Sequence, residues 1–304
     1  MSYVLGLDFG GTKLAAGIVD TASGTVVASL RCPTPAGGAA PGFAAMLALG
    51  DALRAQVATP IHAVGVSFGG PVEADGRTVR LSMHIPGWEN FPLAARCEAH
   101  FGVPAVIAND ADAAGLAEYR FGAGQGCQHM LYLTVSTGIG GGVIINGKLH
   151  RGEHAWAGEV GHMILKPDGP ACACGGNGCL ESLSSGLSIA RDARANVPPS
   201  LRDRDVATIS ARDVAIAAAA GDAVAMQIWD HAVSWLGVGI SSASNLLNPG
   251  IIVIGGGLTG AGEQLFAPLR TIMAYRALSK QVVLKAAALG DVIGIMGGAA
   301  LCMD

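Results

Sequence analysis

The chain has 304 residues, 45 of them Gly, with 51% hydrophobic and only 14% charged residues, enough for two domains around sizeable cores. A net charge of −4 without an extended basic run excludes the electrostatic footprint of a nucleic-acid binder. The seven cysteines are an odd number with no disulfide framework, and the opening MSYVLGLD lacks the basic start of a signal peptide, so a reducing cytoplasm is expected.

From the N-terminus, residues 3–7 read as a strand and Leu14–Val19 as the second arm of a hairpin. Between them Asp8-Phe9-Gly10-Gly11-Thr12-Lys13 offers backbone N–H groups and a hydroxyl to an anion. Asp8 beside them suits Mg²⁺ or its water shell. Lys13 follows Thr12 instead of preceding it, so this is not a Walker A loop. Pro33–Gly42 is expected as loop and Phe43–Gln56 as helix. Residues 63–68 form a buried strand ending in Gly69-Gly70-Pro71-Val72, either a ligand-facing strand end or a plain tight turn. A strand over 104–108 delivers Asn109-Asp110-Ala111-Asp112 to the head of a helix, where Asn and Asp serve as caps.

Residues 130–135 open a second strand–turn–strand unit, with Ser136-Thr137-Gly138-Ile139-Gly140-Gly141-Gly142 at its turn and 143–145 after it. The layout repeats that of residues 3–19. Further on, helices are expected over Leu187–Ala195 and from a capping box at Ser210–Asp213 to Ala220. Residues 232–262 carry no Asp, Glu, Lys or Arg, yet serines, asparagines and Asn248-Pro249-Gly250 interrupt them. They read as the end of a buried helix (Ala223–Leu247), a turn and a buried strand over 251–254, not as a membrane span. Gly255-Gly256-Gly257-Leu258-Thr259-Gly260 formally matches GxGxxG. It lacks the acidic residue about twenty positions on and comes late in the chain instead of opening a βαβ unit, which argues against a dehydrogenase. Gly294–Cys302 is the final helix.

The densest chemistry lies in Glu159–Glu181, EVGHMILKPDGPACACGGNGCLE. His162, Cys172, Cys174 and Cys179 have the ligand types and spacing of a closed tetrahedral Zn²⁺ site; the alternative is a set of free cysteines in a Gly-rich loop. Glu159, at a spacing of three from His162, would share one face of a helical turn with it. With Glu181 the pair would make a rigid polar wall suited to a polyhydroxylated molecule, or an ordinary outer shell for the metal alone.

ExGH followed by CxCGxxGCxE resembles the ROK family of sugar kinases and sugar-responsive repressors. DxGGTK at 8–13, the PGW of residues 86–88 and the NDA of 109–111 extend the resemblance over nearly the whole chain. It implies a two-domain α/β actin-like ATPase (ribonuclease H-like) fold with an interdomain cleft. The N-terminal domain would span 1–118, completed by a helix in 291–304, and a larger domain with the zinc loop would span 119–290. It further implies an ATP-dependent hexose kinase with Asp110 as general base. Gly70, Asn109, Asp110, Glu159, His162 and Glu181 would contact the sugar. Asp8, Gly10, Gly11, Thr12, Lys13, Thr137 and Gly138 would hold the phosphates and Mg²⁺, with Gly256 and Gly257 beside the adenosine. A cytoplasmic homodimer is expected. Departures from the pattern are Asp112 for Asn, Ser136 for Gly and His84 for Asn.

Glucose is the expected substrate, with N-acetylglucosamine, N-acetylmannosamine and fructose as alternatives. The rival classes are a repressor and a non-catalytic sugar-binding protein. A repressor would need an N-terminal winged helix-turn-helix, for which a strand starting at Tyr3 leaves no place. Intact DxGGTK and NDA argue against the binding protein.

Overall fold

Two apolar runs buried on both faces and one alternating edge strand set the first strands: β1 (Tyr3–Phe9), β2 (Lys13–Asp20) and β3 (Thr25–Pro33) form an antiparallel meander. In chain order there follow α1 (Ala39–Arg54), β4 (Ile61–Phe68), α2 (Leu93–Phe101), β5 (Ala105–Asn109), α3 (Asp110–Phe121), β6 (Met130–Val135), β7 (Ile139–Ile145) and β8 (Lys148–Leu149). Then come α4 (Leu180–Ser184), α5 (Gly186–Ala195), α6 (Ala211–Ala219), α7 (Ala223–Leu247), β9 (Ile251–Gly255), α8 (Glu263–Arg276), β10 (Val283–Ala286) and α9 (Ile293–Leu301). This computed structural model describes residues 3–82 and 85–303, so His84 lies outside the described residues. Two units emerge: Met1–Gln128 with Gly142–Gly158 and Ala287–Asp304, and His129–Gly141 with Glu159–Ala286.

The first unit holds a sheet of order β3-β2-β1-β4-β5, with β4 parallel to both β1 and β5. The two-residue period of β1 sends Leu5, Leu7 and Phe9 into a core shared with Met46 and Leu53 of α1 and Leu93, Cys97 and Phe101 of α2. Val4 on the opposite face joins Ala15, Val19, Ala117 and α9 residues Ile295, Met296 and Ala299. α9 lies in backbone contact with the sheet. A Cβ on Gly6 would come 2.2 Å from the Ile295 carbonyl oxygen, and one on Gly65 1.7 Å from that of Gly298. Gly65→Ala is therefore expected to destabilise the protein by about 3 kcal/mol or more. Its thermal unfolding temperature checks this, and an unshifted one would contradict the seating of α9. Glu118, fully buried in α3, is satisfied by N–H groups of Ala123, Ala288 and Leu289 at 2.8–2.9 Å.

The second sheet has the order β10-β9-β6-β7-β8, with β6, β9 and β10 parallel. In the second unit β9 is buried along its whole length. The long helix α7 buries Trp229, Leu236, Ile240 and Ala243, and its Gly237 receives the Ile272 side chain of α8. The Asp222 carboxylate caps α7 through Val224 and Ala225 N–H, and left-handed Asn248 (φ 44°) ends it before Pro249. The capping box at Ser210 and Asp213 is formed, starting α6 at Ala211. Among the described residues no helix is long and apolar enough to cross a membrane.

Two expectations need correction. α1 begins at Ala39, inside the segment read as loop, because Pro41 sits in the first turn, where its missing N–H costs nothing. The strand leading into Gly255–Gly260, β9, does open a βαβ unit, since β10 returns parallel to it after α8. The missing carboxylate stands: β10, Val-Leu-Lys-Ala, carries none.

Candidate active site and metal centre

In the first unit the turn after β1 is closed by Gly10 N–H donating to the Lys13 carbonyl at 3.1 Å. It is pinned from β3's end by Thr34, whose hydroxyl donates to the Gly10 carbonyl at 2.8 Å and whose N–H donates to the Thr12 carbonyl at 3.0 Å. Gly11, Thr12 and Lys13 are exposed, and nothing lies within 4 Å of a Cβ built on Gly11. The turn thus presents an open rim to an anion. Below it the Asp8 carboxylate accepts from the Ser67 hydroxyl at 3.0 Å. A Cβ on Gly294 of α9 would come 2.2 Å from the Asp8 carboxyl carbon. Burial holds Asp8 above the ordinary carboxylate range, against Ser67, Lys13 and Arg31. Ser67 and Gly294 were missed as supports of Asp8. The signal for Ser67 was a lone hydroxyl ending an apolar strand.

β4 and β5 deliver the next group. Asn109 caps α3, its Oδ1 accepting Ala111 N–H at 2.9 Å while its Nδ2 donates to the Gly70 carbonyl at 3.2 Å. The capping role thus coexists with a tie to the Gly69-Gly70 turn. Asp110, first residue of α3, takes the same Ala111 N–H on Oδ1 at 2.9 Å, and its Oδ2 lies 3.8 Å from a Cβ position on Gly69. Asp112, two residues on, is only 7% exposed. Trp88 of the PGW segment is buried, edge-on to Phe9 (5.4 Å) and Phe68 (4.9 Å), so it buttresses the ends of β1 and β4.

In the second unit the glycine turns adjoin. Gly256 (φ 88°) rests on Val135, whose carbonyl oxygen is 2.5 Å from a Cβ position on it, and a Cβ on Gly257 would meet the Ser136 hydroxyl at 3.5 Å. Thr137, at the crown of the turn between β6 and β7, is exposed; that turn is only Ser136–Gly138, since β7 starts at Ile139, inside the segment expected as turn.

His162, Cys172, Cys174 and Cys179 converge, each offering a ligand atom within 4.8 Å of the others. Cys174 Sγ lies 3.7 Å from Cys179 Sγ, and Cys172 Sγ 3.6 Å from His162 Nδ1. Ligands about 2.3 Å from a tetrahedral centre are separated by about 3.7 Å. The donor set therefore fits a metal ion at this spacing. Burial pushes the Cys179 thiol up to about 12, with hydrogen bonds that it donates to the neighbouring cysteine sulfurs adding to it. A bound cation reverses that preference.

With Nδ1 turned to the cluster, His162 Nε2 faces Glu159 Oε2 at 3.8 Å across the Val160–His162 turn. Burial holds Glu159 above the ordinary carboxylate range, opposed by His162 and reinforced by the charge of Glu181. Glu181 also has a partner that sequence reasoning did not foresee: one oxygen accepts Ile139 N–H at 2.8 Å.

The chain matches the ROK family along residues 4–304. It is 35% identical over 321 residues to the glucokinase of Streptomyces coelicolor, covering 100% of this chain and 98% of that protein. To an N-acetylmannosamine kinase of Escherichia coli it is 34% identical over 302 residues, 98% and 97% of the two chains. Among solved structures, a ROK family glucokinase from Streptomyces griseus in complex with glucose and AMPPNP is similar with a TM-score of 0.84 and 35% identity, over 99% of each chain. The two-sheet α/β fold is the actin-like ATPase fold of these sugar kinases. The sequence match, the converged His-Cys cluster and the paired glycine turns agree: this chain belongs to the ROK family.

Proposed function

We propose that the protein is an ATP-dependent hexose kinase that phosphorylates the 6-hydroxyl of glucose. The observation that carries this reading is the polar set of the metal centre: His162 is held by the cluster through Nδ1, leaving Nε2 beside Glu159, with Glu181 close enough to act on Glu159. Such a set, fixed in place, bonds sugar hydroxyls, and Gly70 and Asn109 would add to it. The likeness to the glucose- and AMPPNP-bound Streptomyces griseus enzyme supports the same assignment.

Asp110 would take the proton of the attacking 6-hydroxyl. Gly10, Gly11, Thr12 and Lys13 at one turn, and Thr137 and Gly138 at the other, would hold phosphate oxygens, while Gly256 and Gly257 would flank the adenosine. Mg²⁺, carried with the nucleotide and held through Asp8 or its waters, supplies charge neutralisation at the phosphates. The cluster ion is assigned as Zn²⁺, because three thiolates and an imidazole in tetrahedral spacing are its preferred ligands. Three thiol ligands also favour a reducing cytoplasm. A homodimer rests on family membership alone.

N-acetylmannosamine is the second substrate reading, favoured by the similarity to the Escherichia coli kinase. A coupled assay of kcat/KM on glucose, N-acetylglucosamine, N-acetylmannosamine and fructose decides between them, and glucose is expected to lead. An N-acetyl sugar ahead by more than about tenfold, or roughly 1.4 kcal/mol of transition-state preference, would reassign the substrate and leave the kinase standing.

A further inference from the structure

The turn assigned to nucleotide phosphate is gripped from outside by the two segments that carry metal ligands. Inside the turn, Ser136 N–H donates to the Gly138 carbonyl at 2.9 Å. On one side three bonds come from the residues just after Cys179. Ile139 N–H donates to Glu181 Oε2 at 2.8 Å, Gly186 N–H to the Ser136 carbonyl at 2.7 Å, and Leu187 N–H to the Thr137 carbonyl at 3.2 Å. A Cβ on Gly138 would come 2.4 Å from the same Glu181 oxygen, so the carboxylate lies flat against the turn. On the other side sits the Val160–His162 turn: a Cβ on Gly161 would fall 2.0 Å from the Ile139 carbonyl oxygen.

We infer that the metal centre sets the geometry of the phosphate-binding turn, with Glu181 as the positioning residue through which it acts. The inference rests on the reading of Thr137 and Gly138 as phosphate ligands. The two gripping segments are joined to each other by Leu180 N–H donating to the Met163 carbonyl at 2.9 Å and by the bridge between Ile164 and Cys179. Beyond that backbone seam, the bond that would hold His162 to Cys179 is the metal itself. α4 has only five residues, too few to hold its shape alone, so Glu181 is placed by Cys179 at the head of the helix together with buried Leu180, which packs on Gly239 of α7. The three outer bonds use the carbonyls of Ser136 and Thr137 and the N–H of Ile139. None uses the Thr137 hydroxyl or the Gly138 N–H, so the clamp braces the turn from behind and leaves those donors for phosphate. The Glu181 oxygen occupies the Ile139 N–H, which withdraws that donor from the nucleotide and commits it to alignment.

The inference separates two duties of one carboxylate: bonding the sugar, and bracing the turn. Glu181→Gln keeps an oxygen able to accept Ile139 N–H, whereas Glu181→Ala removes it. In metal-loaded protein, with no sugar present, calorimetry with Mg·AMPPNP is expected to show Glu181→Gln within about threefold of the parent and Glu181→Ala weaker by about tenfold or more. Hydrogen exchange at residues 136–142 should rise in Glu181→Ala and in Cys174→Ser, but not in Glu181→Gln. Equal nucleotide affinity in all three Glu181 proteins, or unchanged exchange in both Glu181→Ala and Cys174→Ser, would overturn the clamp. Failure of the parent protein to bind Mg·AMPPNP would instead overturn the nucleotide reading on which the inference stands.

Discussion

Asp110→Asn is expected to lower kcat by about 10²–10⁴-fold, the range for a removed general base, while nucleotide and sugar affinities stay near those of the parent. The substitution isolates the proton transfer. Asp110 opens α3, and its Oδ1 already accepts Ala111 N–H at 2.9 Å. An Asn side chain retains that acceptor, and Asn109 continues to cap the helix. What disappears is a carboxylate able to take a proton. Its neighbour Asp112 is the residue to watch, being buried on the same helix two positions on. A variant that keeps most of its turnover would transfer the role to Asp112, and steady-state kinetics with single-turnover controls would show it.

Cys179→Ser should be the most damaging change in the second unit. The parent is expected to carry one Zn²⁺ per chain, and the variant close to none. Cys179 is 1% exposed and its Sγ is 3.7 Å from that of Cys174, so the serine hydroxyl would be buried where a thiolate ligand belongs. Apparent binding free energies of structural zinc reach about 10–16 kcal/mol in small zinc-dependent folds, so loss of one ligand is expected to lower the unfolding temperature steeply. Sugar affinity should fall with it, because His162 keeps its Nε2 beside Glu159 only while Nδ1 is held. Metal analysis by mass spectrometry checks the stoichiometry. Metal-free protein with intact activity and an unshifted unfolding temperature would contradict the assignment.

Local pattern made much of this legible. The hairpin of β1 and β2 follows from two short apolar runs around a Gly-Gly turn, and the convergence of His162 with three cysteines follows from their spacing. The end of α7 at Asn248 follows from Asn-Pro-Gly. Other elements were hidden for identifiable reasons. β3 is an edge strand whose side chains are all exposed or half-buried, and exposed Val27 interrupts the polar face formed by Thr25, Ser29 and Arg31. α8, with Pro268 inside it, carries a weak apolar stripe, whereas α2 was open to a reading from Leu93, Ala94, Cys97 and Phe101 at helical spacing. α1 starts early because a proline that would break a helix interior is harmless in its first turn. In the candidate site, what spacing cannot reveal is contact between distant segments. Glu181 and Ile139 are 42 residues apart, and the roof over Asp8 comes from Gly294 in the last helix. Trp88 stands in the PGW segment that carries part of the family resemblance, and aromatic packing turns it into the core.

The central claim is the transfer of phosphate from ATP to a hexose, and direct product analysis tests it most simply. Purified protein with Mg²⁺, ATP and glucose, followed by phosphorus NMR, is expected to give glucose 6-phosphate and ADP in equal amounts, with no product when the sugar is left out. Absence of any phosphorylated sugar from glucose, N-acetylglucosamine, N-acetylmannosamine and fructose, with metal-loaded and folded protein, would contradict the account.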